Sequence, residues 1–332
     1  MSVPIRVGTR GSLLATTQSN AIAARLGALT GRPVELVHVQ TLGDSHAGSI
    51  SQIGGTGVFA AALREALLDG ECDVAVHSLK DLPTEPLPGL TFITPEREDP
   101  HDALCAKGRL KFSGLETGAR IGTGSPRRAA QLRVAKPGLE VIDIRGNVDT
   151  RLTRVFGPNA DLDAVVLAAA GLNRIGRSDA ISELLRPALM MPAPGQGALA
   201  VEARSADVRD GGPLAAAFAA LDHRPTRLAV LAERALLSTL ETGCSAPVGA
   251  LGRFRSGELA LAGVVASLDG NQVLRARESV AVDDFSGDPD LVATALGTRV
   301  AEALLEDGAA GICSRQAARP TFSHRPPLPR EL

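Results

Sequence analysis

Short apolar runs alternate with stretches of helical periodicity along most of this chain, and that order predicts an α/β fold. Pro4 to Thr9 reads as a strand. Ser12 can then cap a helix from Leu13 to Thr30, with Leu14, Ile22, Leu26 and Leu29 near one face and Gly31 and Pro33 ending it. Val34 to Gln40 is a second strand, and Val58 to Leu68 a second helix. Asp73 to His77, with its run Val74, Ala75 and Val76, is a short buried strand that breaks into the polar turn Ser78, Lys80, Asp81, Pro83. Further strands are expected at Leu90 to Thr94, Arg120 to Gly122, Leu139 to Ile144, Leu162 to Ala168 and Ala198 to Ala203, with a helix beginning at Leu172 to Ile175. Toward the end, a helix over Thr226 to Leu240 precedes paired strands at Leu259 to Ser267 and Gln272 to Val282 around Asp269-Gly270, then a helix over Asp290 to Glu306.

Two Pro-rich breaks interrupt the alternation. One is Pro95-Glu96-Arg97-Glu98-Asp99-Pro100 and the other runs from Met190 to Gly197. Crossovers bracketing one β/α unit predict a chain that leaves a first lobe, builds a second and returns, with a ligand cleft between. Leu42 to Gly57 is rich in Gly and Ser, shows no periodicity and predicts a mobile lid. The tail from Arg315, with four prolines, predicts disorder.

Composition narrows the function. With 332 residues and aromatics at 2%, none of them Trp or Tyr, the core is aliphatic and base stacking is weakly served. A net charge of −2 speaks against a DNA-coating protein, so no nucleic-acid partner is expected. No apolar run reaches membrane-spanning length, and the N-terminus MSVPIRVGTR lacks a signal-peptide core. The expectation is a cytoplasmic protein without a membrane partner. Cys72, Cys105, Cys244 and Cys313 are too scattered for a structural metal site.

Candidate chemistry collects where strands end and helices begin, the usual ligand crevice of α/β sheets. Arg10 and Ser12 lie at such a junction. Lys80 and Asp81 lie at another, where a solvated surface pair is the plainer alternative. Ser125, as N-cap before Pro126, puts Arg127 and Arg128 in a first helical turn. The helix dipole disfavours cations there, so the pair suggests an anion between the guanidinium groups and the backbone amides. Between Arg120 and Arg154 there are eight basic residues and three acidic ones. That surplus points to a polyanionic small ligand.

Eight motifs occur in order: TRGSLLATTQ (Thr9 to Gln18), GGTGVF (Gly54 to Phe59), HSLKDLP (His77 to Pro83), EREDPHDAL (Glu96 to Leu104), GTGSPRRAAQL (Gly122 to Leu132), RGNVDTRL (Arg145 to Leu152), PGQGALAVE (Pro194 to Glu202) and ETGCSAPVG (Glu241 to Gly249). Together they resemble the hydroxymethylbilane synthase (porphobilinogen deaminase) family, from about Pro4 to Cys313. The resemblance implies two periplasmic-binding-protein-like lobes and a small α/β C-terminal domain. Its boundaries would be residues 1–96 with 197–218, then 97–196, then 219–314, with 315–332 as the tail. It implies a monomeric transferase that joins four porphobilinogen units head to tail into the linear tetrapyrrole hydroxymethylbilane. The primer would be a dipyrromethane held through a thioether to Cys244.

By motif match, Asp81 would be the catalytic carboxylate, set to stabilise positive charge on a pyrrole ring and guide proton transfer. Lys80, Ser125, Arg127, Arg128, Arg145 and Gly146 would seat the cofactor beside Cys244. Arg10, Ser12, Gln18, Arg145, Arg151 and Arg174 would bind substrate. Every ring brings an acetate and a propionate, and guanidinium groups suit carboxylates because they are always charged and bind bidentately. The chain departs from the family's usual pattern at Thr56 and Gln52, where lysines are usual, and at Thr242 and Ala246. The rival is a non-catalytic anion-binding sensor on the same two-lobed fold. It explains the arginines but gives no reason for Asp81 and Cys244 to accompany them, and only the enzyme would be heavier by a dipyrromethane.

Overall fold

The computed structural model describes residues 2–39, 58–209, 211–241, 247–282 and 287–312. The expected lid, the attachment turn at Cys244 and the tail fall outside these residues, as does Cys313.

The chain begins with β1 (Ile5–Thr9), α1 (Leu13–Thr30), β2 (Val34–His38), α2 (Val58–Leu68), β3 (Val74–Ser78) and β4 (Leu90–Ile93). It crosses into β5 (Asp102–Ala106), β6 (Arg120–Gly122), α3 (Pro126–Ala135), β7 (Glu140–Ile142), α4 (Val148–Phe156), β8 (Ala164–Ala168), α5 (Ala169–Arg174) and β9 (Glu183–Leu185). It returns as β10 (Leu199–Arg204), α6 (Ser205–Arg209) and α7 (Pro213–Leu221). It ends with α8 (Arg224–Glu241), β11 (Val248–Arg255), β12 (Glu258–Ala266), β13 (Val273–Ala281) and α9 (Pro289–Glu306).

Three sheets result. The first has the order β2-β1-β3-β10-β4, with β1 parallel to β2 and β3, and β10 antiparallel to both its neighbours. The second has the order β7-β6-β8-β5-β9, with β5 antiparallel to β8 and β9. Each of the first two sheets thus joins a parallel β/α core to one antiparallel strand that lies beside a crossover. The fold is α/β with two lobes built to one plan, as the alternation predicts.

Apolar burial fixes these layers. Ile5, Val7, Val74, Val76 and Val201 pack against Ile22 and Leu26 of α1 and Phe218 of α7. The second sheet is covered on both faces, by a cluster around Leu104, Ile121 and Leu132 and by one around Val165, Leu152 and Leu172. The third sheet is the meander β11-β12-β13. Its inner face buries Leu259, Leu261 and Val265 against Leu236 of α8 and Leu296 and Val300 of α9.

The hairpin at Asp269-Gly270 is present, with Ser267 N donating to Gln272 O at 2.9 Å. Three strands escape periodicity: β5, β9 and β11. β5 reads as a loop because Asp102 stands at its head, and β11 because two glycines and two arginines break its pattern. The helix expected to begin at Leu172 begins instead at Ala169, directly on the end of β8. Cys72 and Cys105 are free and buried, and burial pushes their thiols up to about 11 and about 12. They are small core residues.

Candidate active site

The first lobe's contribution starts at the carboxyl end of β3. After Ser78 the chain makes one 3-10 turn, Leu79 to Asp81, pinned by the fully buried Leu79. That turn leaves Lys80 half-buried and Asp81 exposed. Gln18 is buried beneath it, and its Nε2 donates to Ser78 Oγ at 3.2 Å. Gln18, expected at the substrate, thus holds the turn that carries Lys80 and Asp81. At the end of β1, Ser12 caps α1 by accepting from Ala15 N at 3.3 Å. This end of α1 faces the second lobe, since a β-carbon on Gly171 of α5 would lie 3.8 Å from Leu14. Arg10 and Ser12 thus stand at the edge of the cleft.

The second lobe's contribution centres on α3. Ser125 caps the helix by accepting from Arg128 N, with Pro126 at its first position, as expected. Arg127 and Arg128 are buried, and the anion between them is the protein's own. Asp102, fully buried at the head of β5, accepts from Arg127 Nη1 and Nη2 at 2.7 and 3.2 Å and from Arg128 Nε at 2.8 Å. Gln196 of the returning crossover adds a hydrogen bond to Asp102 at 3.0 Å. Arg127 also donates to Met191 O at 2.5 Å and Arg128 to Val166 O at 3.1 Å. The expectation of two arginines open to a ligand is corrected accordingly. Most of their donors are committed to the protein, because a cation pair buried at a helix N-terminus needs a local counter-charge. Among the described residues, one nitrogen of the pair is left over: Arg127 Nε is buried and has no hydrogen-bond partner.

Electrostatics ties the two lobes together. Burial pushes the Lys80 ammonium below the usual lysine range; Asp81 and Asp102 oppose that, while Arg128 and Arg127 add to it. Lys80 therefore faces the arginine pair across the cleft. Arg128 in turn feels Arg151, whose guanidinium burial and the nearby Arg145 push down. Arg151 Nε donates to Gly146 O at 2.8 Å, and Gly146 has φ +103, a turn that favours glycine. Arg145 is exposed and pairs with Asp143 at 3.0 Å. Arg174 is half-buried at the end of α5 and donates to Gly197 O at 2.6 Å, so it touches the crossover. The structure thus sets Lys80 and Asp81 of the first lobe against Arg127, Arg128, Arg145, Gly146 and Arg151 of the second.

Three acidic groups escaped the sequence reading. Asp102 is one. Glu202 of β10 is another, buried between Arg64 Nη2 at 2.9 Å and His77 Nε2 at 3.1 Å, directly behind the Lys80–Asp81 turn. Glu233 of α8 is the third. It accepts from Arg97 Nη1 and Nη2 at 2.6 and 3.1 Å, Gly195 N at 2.6 Å and Gly252 N at 2.7 Å, joining both crossovers to the third sheet. The signal was present for two of them, since Asp102 lies in EREDPHDAL and Glu202 ends PGQGALAVE.

The guanidinium charges and hydrogen bonds around Asp102 overcome its burial and hold its carboxyl down at about 2. A carboxylate with a depressed folded pKa contributes stability that is complete above the unfolded value, about 4, and is lost as pH falls through about 2. Acid unfolding followed by circular dichroism should therefore begin below about pH 4 in the native protein. In Asp102→Asn that part of the acid transition should be missing, and an unchanged acid limb would refute this contribution.

Comparisons with known proteins agree with the motifs. Residues 5–210 match the family model "Porphobilinogen deaminase, dipyromethane cofactor binding domain", and residues 227–306 match "Porphobilinogen deaminase, C-terminal domain". The porphobilinogen deaminase of Leifsonia xyli is 52% identical over 95% of this chain and 96% of that protein. That of Thermobifida fusca is 51% identical over 96% and 98%. Among solved structures, the methionine binding protein MetQ aligns with 65% of this chain and 89% of its own, at 14% identity and a TM-score of 0.38, and adds nothing to that assignment.

Proposed function

This chain belongs to the porphobilinogen deaminase family, and on that premise we propose that its reaction is carried by Asp81, in the turn after β3, facing a cationic wall on the second lobe. The activity is the deamination and head-to-tail joining of four porphobilinogen units into hydroxymethylbilane, on a dipyrromethane cofactor. The observation that carries the reading is electrostatic: Lys80, next to Asp81, feels Arg127, Arg128 and Asp102 from the opposite lobe.

The residues present suit a dipyrromethane. Its carboxylates need cations, and the two sides of the cleft supply Lys80, Arg145 and Arg151, with Arg127 Nε unpaired among the described residues. Ser125 and Gly146 hold the turns from which those side chains project. When bound, the dipyrromethane supplies the free pyrrole carbon from which the product grows. Arg10, Ser12, Arg151 and Arg174 line the approach for the substrate's acetate and propionate. Asp81, exposed at the cleft, takes the charge that a porphobilinogen ring gains as it loses ammonia, and accepts a hydrogen bond from that ring's N–H. Gln18 keeps the turn in place through Ser78.

The domains on this reading are residues 1–96 with 197–218, 97–196, and 219–314. The third presents Cys244, between the end of α8 and the start of β11, as the attachment thiol. The protein works as a cytoplasmic monomer without nucleic-acid or membrane partners. No helix among the described residues is long and apolar enough to cross a membrane.

Intact-mass measurement tests the assignment. The protein is expected to be heavier than its sequence by one dipyrromethane, and peptide mapping should place the addition on Cys244. An adduct on Cys72, Cys105 or Cys313 would overturn that placement. Cys244→Ser should give protein of bare sequence mass and lower melting temperature, since a ligand bound only to the folded state stabilises it.

A further inference from the structure

We propose that Asp102 is a positioning residue for the cofactor seat: it sets the direction of the Arg127–Arg128 pair and the charge balance facing Lys80. The proposal rests on the reading of Lys80 and Arg127 as part of the cofactor seat, with Arg128 as the neighbour that shares their counter-charge. Its basis is the convergence of three separate elements on one buried carboxylate. Asp102 comes from β5, the arginines from the first turn of α3, and Gln196 from the returning crossover.

The geometry is tight. The two planar guanidinium groups share one carboxylate, with Arg127 spanning both oxygens and Arg128 engaged through Nε on the same Oδ1 that Gln196 touches. Gln196 is itself anchored, donating to Pro100 O at 2.8 Å and accepting from Arg128 Nη2 at 3.4 Å. Asp102 is therefore held from both ends of the crossover and cannot follow a ligand. The arginines in turn point where it directs them, which leaves the buried Arg127 Nε as their one unpaired nitrogen among the described residues.

The charge balance follows by counting. The groups acting on Lys80 are Asp81 on its own turn, Arg127 and Arg128 on α3, and Asp102 on β5. Three cations face two carboxylates, a surplus that admits a carboxylate ligand without driving the arginines apart. Remove the charge of Asp102 and three cations face only the exposed Asp81. The arginines then repel one another, and Lys80 loses one of the two charges that hold its ammonium. Lysine beside fewer anions loses its proton at lower pH.

The test compares native protein, Asp102→Asn and Gln196→Met by circular dichroism, intact mass and turnover against pH. Native protein should carry the added mass. Folded Asp102→Asn should carry it in less than about one tenth of molecules, and the alkaline limb of turnover in the loaded fraction should move down by about half a pH unit or more. Gln196→Met keeps every charge, so it should lower loading several-fold with the alkaline limb unmoved. A purely structural Asp102 would lower the melting temperature alone. Folded Asp102→Asn with native loading and a native pH profile overturns the proposal. Should Asp102→Asn fail to fold, Gln196→Met decides, and native loading and turnover in it overturn the proposal. Native protein without the added mass overturns the reading of the seat and this proposal with it.

Discussion

Asp81→Asn should fold as the native protein does and lose at least about 100-fold in turnover of porphobilinogen. The side chain is exposed at the end of a 3-10 turn whose own stability comes from Leu79, buried beneath it, and from the Gln18–Ser78 hydrogen bond. Nothing in the core depends on the Asp81 carboxylate. What does depend on it, on the proposed reading, is charge, because an electron-poor pyrrole would form near Lys80 and the arginines of the second lobe. An anion fixed there before the reaction stabilises positive charge with little reorganisation, whereas asparagine offers only a dipole. Asp81→Glu retains the charge about one methylene away and should keep more activity than Asp81→Asn. Turnover and circular dichroism measured side by side decide the matter. Native-like turnover in a folded Asp81→Asn would leave the residue as the partner of Lys80 and nothing more.

Glu233→Leu carries the largest expected loss of stability. Its carboxylate is fully buried and satisfies the Arg97 guanidinium and two backbone amides, Gly195 N and Gly252 N. Arg97 also donates to Gln196 O at 2.8 Å, a neutral acceptor that cannot replace the Glu233 charge. Breaking a buried pair from one side strands the other charge and costs about 3–5 kcal/mol. At roughly 2–4 °C per kcal/mol, the melting temperature should fall by about 10 °C. Arg97→Met combined with Glu233→Leu removes both charges and should recover part of that loss, though the two glycine amides stay unsatisfied. A single variant that melts with the native protein would show that the crossovers are held by packing alone. Gly197 at φ +87 argues that packing contributes, since a β-carbon there would lie 2.4 Å from Glu98 O of the other crossover.

The α/β lobes and the strand-end positions of the candidate site residues were legible in the sequence for a local reason. Apolar runs, Ser12 and Ser125 as caps, Pro126 and the two Pro-rich crossovers act within a few residues of themselves, so their pattern survives in one dimension. The eight motifs added the family, the reaction and Asp81. What the sequence could not convey was the partner of each buried charge. Arg127 and Arg128 announce an unsatisfied cation pair, but Asp102 lies 25 residues before Arg127 on β5, two strands from the β6 that leads into their helix. Glu233 is 136 residues from Arg97. Gln18 meets Ser78 from 60 residues on, a contact that no local pattern announces. Desolvation makes such pairings energetically decisive, yet it exists only once several elements have closed around a group. Local chemistry determined which residues carry charge to the cleft; tertiary burial alone decided which of those charges the protein neutralises itself and which it leaves for a ligand.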